Sequence, residues 1–121
     1  MTQDLDDTIL KYKKFIALQG DKLDYVYNIL KSFKKIFKKN ENIDREYFKS
    51  YFKSIYYEID LLQDILRICN EDLNYFLNSE KNVGCISFLK IRNLQFNLEY
   101  LSERKCNKCL EIIEFCISLT F

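Results

Sequence analysis

Nine apolar side chains, Phe48, Phe52, Ile55, Ile59, Leu62, Leu66, Cys69, Leu73 and Phe76, follow one another at alternating steps of four and three residues. An α-helix returns to the same side at that spacing, so the nine form one seam on a single helix over about residues 45–77. At about 1.5 Å per residue that helix is roughly 50 Å long, and other segments must cover its apolar side.

The rest of the chain supplies such segments. Pro is absent and Gly occurs twice, so the chief helix breakers are missing and apolar spacing assigns the elements. Leu5, Ile9, Tyr12 and Ile16 predict a helix over about 4–19. Gly20 then reads as a C′ residue that tolerates positive φ, and Asp21 as the N-cap of a second helix over about 22–39. That helix buries Leu23, Val26, Leu30, Phe33 and either Phe37 or Ile36. Asn40 to Ile43 is a predicted turn, and Asp44 is the predicted N-cap of the long helix, with Ile43 and Phe48 as a hydrophobic staple.

Asn78 to Gly84 is a predicted loop. Beyond it one seam runs through Ile91, Leu94, Leu98 and Leu101, and another through Cys106, Cys109, Ile113 and Cys116. Continuing the first would draw Lys105 inward, so the phase slips near Ser102 to Lys105, and residues 85–119 form one bent helix or two. The expectation is an all-α protein: a compact four- to five-helix bundle around the long central helix, with residues 1–121 as a single domain.

The same residues bound the chemistry. His is absent, which removes histidine-dependent nucleophile activation, histidine acid–base catalysis and the Glu-x-x-His sets of di-iron bundles. Gly20 and Gly84 stand alone, so no phosphate-cradling loop is present. Asp60 and Asp64 point away from the apolar seam and read as a solvated face. Cys106 and Cys109 form a lone CxxC, followed by Cys116. Without a second such motif a four-ligand zinc site would need Cys69 and Cys85 to meet them in space, and core cysteines explain the spacing better. No catalytic residue, cofactor or metal site is predicted.

Formal net charge is +1, so no global field draws the chain to nucleic acid or to an anionic membrane. The N-terminal Met-Thr-Gln-Asp-Leu-Asp-Asp lacks the features of a secretory signal. The strongest apolar run, Ile112 to Phe121, is about half the roughly 20 residues a bilayer requires. The expectation is a cytoplasmic, intracellular protein with reduced thiols and no membrane association. With 15 Lys to 4 Arg and little Ala, Gly or Pro, the composition suits an AT-biased genome such as that of some viruses, phages and low-GC bacteria.

Two surface features remain. Six aromatic rings fall within the eleven positions from Tyr47 to Tyr57. Phe48 and Phe52 lie on the seam, Tyr47 and Tyr51 flank it, Tyr56 lies at its margin, and Tyr57 points nearly opposite. Tyr offers large contact area at low entropic cost, so Tyr47, Tyr51, Tyr56 and Tyr57 are candidate partner-binding residues. Lys31, Lys34, Lys35, Lys38 and Lys39 span about 120° of helix circumference as a basic stripe, a position that also suits the negative end of the helix dipole.

The reading is a non-enzymatic protein-binding module, an inhibitor or adaptor of the kind that viruses, phages or mobile elements encode to block a larger protein complex, in the anti-CRISPR-like or host-antagonist class. The alternative is a nucleic-acid-associated subunit that binds RNA or DNA backbone through the Lys31–Lys39 stripe. A third reading is a homodimer formed through the apolar run from Ile112 to Phe121.

Overall fold

The computed structural model describes residues 2–39, 44–79 and 83–119, which are almost entirely helical. Helix α1 runs Thr2–Lys39, α2 Arg45–Ser79, α3 Cys85–Glu99 and α4 Asn107–Ser118. A seven-residue π-helical segment, Tyr100–Cys106, joins α3 to α4 without a break. The three pieces form one C-terminal rod, so the architecture is an all-α three-helix bundle rather than one of four to five helices.

Gly20 does not end a helix. It is helical, no Gly or other residue among those described has positive φ, and α1 passes straight through it. Asp21 is an exposed mid-helix residue, not a cap. The physical reason is phase: Ile16 and Leu23 are seven residues apart, two turns, so the two predicted seams are one seam. Ile9, Leu23, Leu30 and Phe37 are buried along it. A mid-helix Gly costs about 1 kcal/mol relative to Ala, too little to stop a helix whose packed side continues beyond it.

Helix α2 follows the predicted bounds. The Tyr47 N–H donates to Asp44 Oδ1 at 3.2 Å, which makes Asp44 the N-cap. Ile43 and the proposed staple lie outside the described residues. Of the nine seam residues, Phe52, Ile59, Leu66 and Leu73 are buried, and Phe48, Ile55, Leu62, Cys69 and Phe76 are half-buried.

Nor is α2 the central helix of the bundle. Among the described residues, eleven of the C-terminal rod are buried, against five in α1 and five in α2. Among the described helices, every approach between separate helices with Cα–Cα distances of 8 Å or less involves that rod. The rod, not α2, is the axis of the core, because Ser102, Cys106, Cys109 and Cys116 are small and let neighbouring backbones come near. Helices α1 and α2 meet through large side chains instead. No described helix is long and apolar enough to cross a membrane.

The π segment lies where the sequence phase slips. Seven residues carry an i→i+5 pattern in place of i→i+4, which absorbs the residue separating the Leu101 phase from the Cys106 phase. Lys105 is thereby kept from the core and pairs with Asp24 of α1 at 2.9 Å. Buried Gln63 of α2 donates from Nε2 to the Ser102 carbonyl at 2.6 Å and to Asn107 Oδ1 at 2.9 Å. Asn107 Nδ2 in turn donates to the Glu103 carbonyl at 2.8 Å. This polar relay pins α2 to the irregular turn.

Candidate functional site

The candidate residues gather at one end of the bundle, where α1 ends, α2 begins and α4 ends. Four Phe rings join α1 to α2 there. Phe33 lies 5.5 Å from Phe48 and 5.6 Å from Phe52, and Phe37 lies 5.4 and 5.5 Å from the same two rings. Most of these contacts are edge-on or tilted, as ring quadrupoles prefer. The seam Phe residues of the aromatic-rich stretch therefore pack against α1. The Arg45 guanidinium donates to the Leu119 carbonyl, which ties the start of α2 to the end of α4 and places a cation at a helix C-terminus, its favourable end.

The four candidate Tyr separate. Tyr51 meets Phe33 edge-on, with ring centroids 6.0 Å apart, and keeps 43% exposure. Tyr47 is 69% exposed and touches the ring of its neighbour Phe48. Tyr56 turns to the other side of α2, where its hydroxyl makes a long 3.5 Å contact with Glu114 Oε1 of α4. Its pKa lies above the ordinary tyrosine value, first through desolvation and then through the Glu114 carboxylate. Tyr57 stands beside it, edge-on at 6.2 Å and 70% exposed. Together Tyr56 and Tyr57, with Lys53, Glu114 and Ile117, line an open cleft of about 310 Å³ between α2 and α4.

The lysine stripe is split as well. Lys34 and Lys38 fold onto the ring of Phe115 in α4, with Nζ atoms 4.5 and 5.4 Å from its centroid. Such cation–π contacts belong to the internal packing of α1 on α4. Lys31 lies 5.3 Å from the Tyr27 ring within α1, and Lys35 and Lys39 are exposed. Phe115 is the residue the sequence reading passed over. Its place three positions before Ser118, off the Ile113 and Cys116 seam, marked it as a lateral apolar group able to meet lysine stems.

The cysteines do not converge on an ion. All five are free thiols: Cys106, Cys109 and Cys116 buried, Cys69 half-buried and Cys85 exposed. Among the described residues no three His, Cys, Asp or Glu side chains are placed to hold a metal. Burial pushes the Cys106 thiol up to about 12 and those of Cys109 and Cys116 up to about 11. Cys109 Sγ donates to the Leu23 carbonyl at 3.6 Å. These are neutral, poorly nucleophilic core groups. The run Ile112 to Leu119 also packs into the core, with Ile113 and Cys116 buried and Ile112, Ile117 and Leu119 against them.

Comparison of the chain with protein-family models, with curated proteins and with solved structures finds no match.

Proposed function

We propose that this chain is a non-enzymatic protein-binding module that acts by occupying a surface of a larger complex, in the manner of small inhibitors or adaptors encoded by viruses, phages or mobile elements. The observation that carries the reading is the cleft between α2 and α4, whose walls are the half-buried Tyr56 and exposed Tyr57 rings with Lys53 and Glu114 at hand. Aromatic walls flanked by one cation and one carboxylate suit an inserted side chain of a folded partner better than a reacting small molecule. The chain lacks His altogether, in keeping with recognition rather than catalysis. The proposed setting is the reducing interior of a cell.

The test is affinity capture from the source cell with the intact chain and with Tyr57→Ala. Tyr57 is 70% exposed, so its truncation leaves the core alone. A stoichiometric protein partner lost with Tyr57→Ala supports the reading, whereas a partner held equally well by the variant removes the cleft as its site.

The nucleic-acid reading rests on Lys31, Lys35 and Lys39, since Lys34 and Lys38 lie on Phe115. It requires affinity for RNA or DNA that falls steeply with salt and is lost on Lys35→Glu with Lys39→Glu.

A further inference from the structure

Helix α2 carries a second apolar seam that the bundle leaves uncovered. Tyr57, Leu61, Ile65, Ile68 and Tyr75 are 70, 60, 39, 55 and 76% exposed. At 100° per residue they fall within about 80° of one another, on the side away from buried Ile59, Leu66 and Leu73. The strip is about 27 Å long. Its margins are acidic: Glu58, Asp60, Asp64, Glu71 and Asp72 are all exposed. The one cation in this stretch, Arg67, is paired with Asp64 at 3.5 Å.

The outer side of α3 has the opposite character. Ile86, Leu89 and Phe96, with Tyr100 at the start of the π segment, are 71, 64, 61 and 53% exposed, and they too lie within about 80°, opposite Ile91, Leu94 and Leu98. The strip is about 21 Å long. From Ile86 to Tyr100 the charged residues are Lys90, Arg92 and Glu99, and the Glu99 carboxylate accepts from Asn70 Nδ2 of α2 at 3.4 Å, so the strip itself is bordered by a small excess of cations. The Arg92 guanidinium lies 5.6 Å from the Phe96 ring, so the cation borders the apolar strip itself.

Exposed apolar strips of this length on one small domain are interaction surfaces, and here both halves of a matched pair are on the same chain. We propose that the α2 strip of one copy docks on the α3 strip of a second copy. Helix-on-helix packing buries both strips, with Lys90 and Arg92 set against the α2 carboxylates. The like-with-like alternatives are disfavoured by charge, because α2 on α2 opposes carboxylates and α3 on α3 opposes cations. The contact is therefore heterologous. The resulting pair keeps one free strip of each kind, one on each copy, and association continues head to tail into a chain or a closed ring. The strip shares Tyr57 with the Tyr56–Tyr57 cleft, but Ile68 and Leu89, where it is tested, lie outside the cleft lining, so the two proposals fail separately.

The test uses the full chain, Ile68→Glu and Leu89→Glu, measured by sedimentation velocity and by light scattering after gel filtration. Circular dichroism checks that the helices persist. The expected result is a wild-type mass that rises with concentration past that of a dimer, with each variant alone monomeric. Mixing the two variants restores association but stops it at the dimer, since each retains one intact strip. Asn93, exposed on the α3 strip, supplies substitutions that remove no apolar surface: Asn93→Lys tightens the assembly and Asn93→Glu loosens it. A wild-type chain monomeric at every concentration overturns the proposal. So does a variant mixture that stays monomeric while the wild type associates, or an Asn93 pair that shifts association in the same direction.

Discussion

The two ways this bundle joins its helices differ in kind. At the end where α1 meets α2, the Phe33, Phe37, Phe48 and Phe52 rings fill the space between backbones. Along the C-terminal rod the joints are made by close approach of small groups, Cys109 against the Leu23 carbonyl, together with the buried amide of Gln63. The first joint depends on volume and tolerates little loss of it. The second depends on close approach and on satisfied polar groups, and tolerates little addition.

The largest expected effect comes from removing volume. Phe52 is fully buried, and Phe52→Ala should cost about 3–5 kcal/mol in denaturant unfolding. A loss under about 1 kcal/mol would mean that the ring joint collapses to fill the gap, and the contrast between the two joints would disappear.

Adding volume at the other joint is the converse experiment. Cys109→Leu places extra methyl groups where α4 meets α1 and should cost about 1–3 kcal/mol. A neutral outcome would show that the close approach has slack.

Gln63→Leu removes a polar group instead of changing bulk. The Ser102 carbonyl loses its donor, at about 1–3 kcal/mol for an acceptor left unpaired. Hydrogen exchange should rise across Tyr100–Cys106 and remain unaltered at the Phe cluster. Spread of faster exchange to the Phe cluster would show that the two joints are coupled.

The buried thiols separate the joints by pH. Cys106 has an ordinary value of 9.0 and is raised to about 12 by burial, so the folded state favours the protonated thiol. Its stabilising contribution is complete below pH 9 and is lost progressively as pH climbs toward 12. The alkaline decline in thermal stability should be shallower in Cys106→Ala than in the parent chain. Identical slopes would mean that the thiol does not ionise before the fold opens.

The smallest effect has the opposite sign. A Cβ on Gly20 would sit 3.5 Å from Leu101 Cδ2, ordinary contact, and the backbone is helical. Gly20→Ala should therefore stabilise the chain by up to about 1 kcal/mol. Were Gly20 a helix-ending residue with positive φ, the same change would destabilise it, so the sign alone decides between one long α1 and two shorter helices.

Helix α2 was legible almost to the residue, because nine apolar positions in one phase and Asp44 before them are local signals. The slip between Leu101 and Cys106 was legible as a place, though not as a π segment, since a phase change does not say whether a helix bends, breaks or takes up an extra residue. Gly20 by itself signals a break, whereas the seam crosses it in phase, and that continuity is the clue the sequence carries. The candidate site was the least legible. Lys34 and Lys38 belong to Phe115, and Tyr56 belongs to a cleft, only because α4 returns between α1 and α2.

By itself the amino-acid order determined that the chain is helical, where α2 lies, which side of each helix is apolar and where the last helix loses phase. These follow from periodicity and capping, which act within a few turns. The tertiary structure decided that three rods form, that the C-terminal one is central, and which lysines and tyrosines remain outward. The reason is that these depend on the distance between backbones, and that distance is set by pairs of residues far apart in the chain, small against small along the rod and ring against ring at the end.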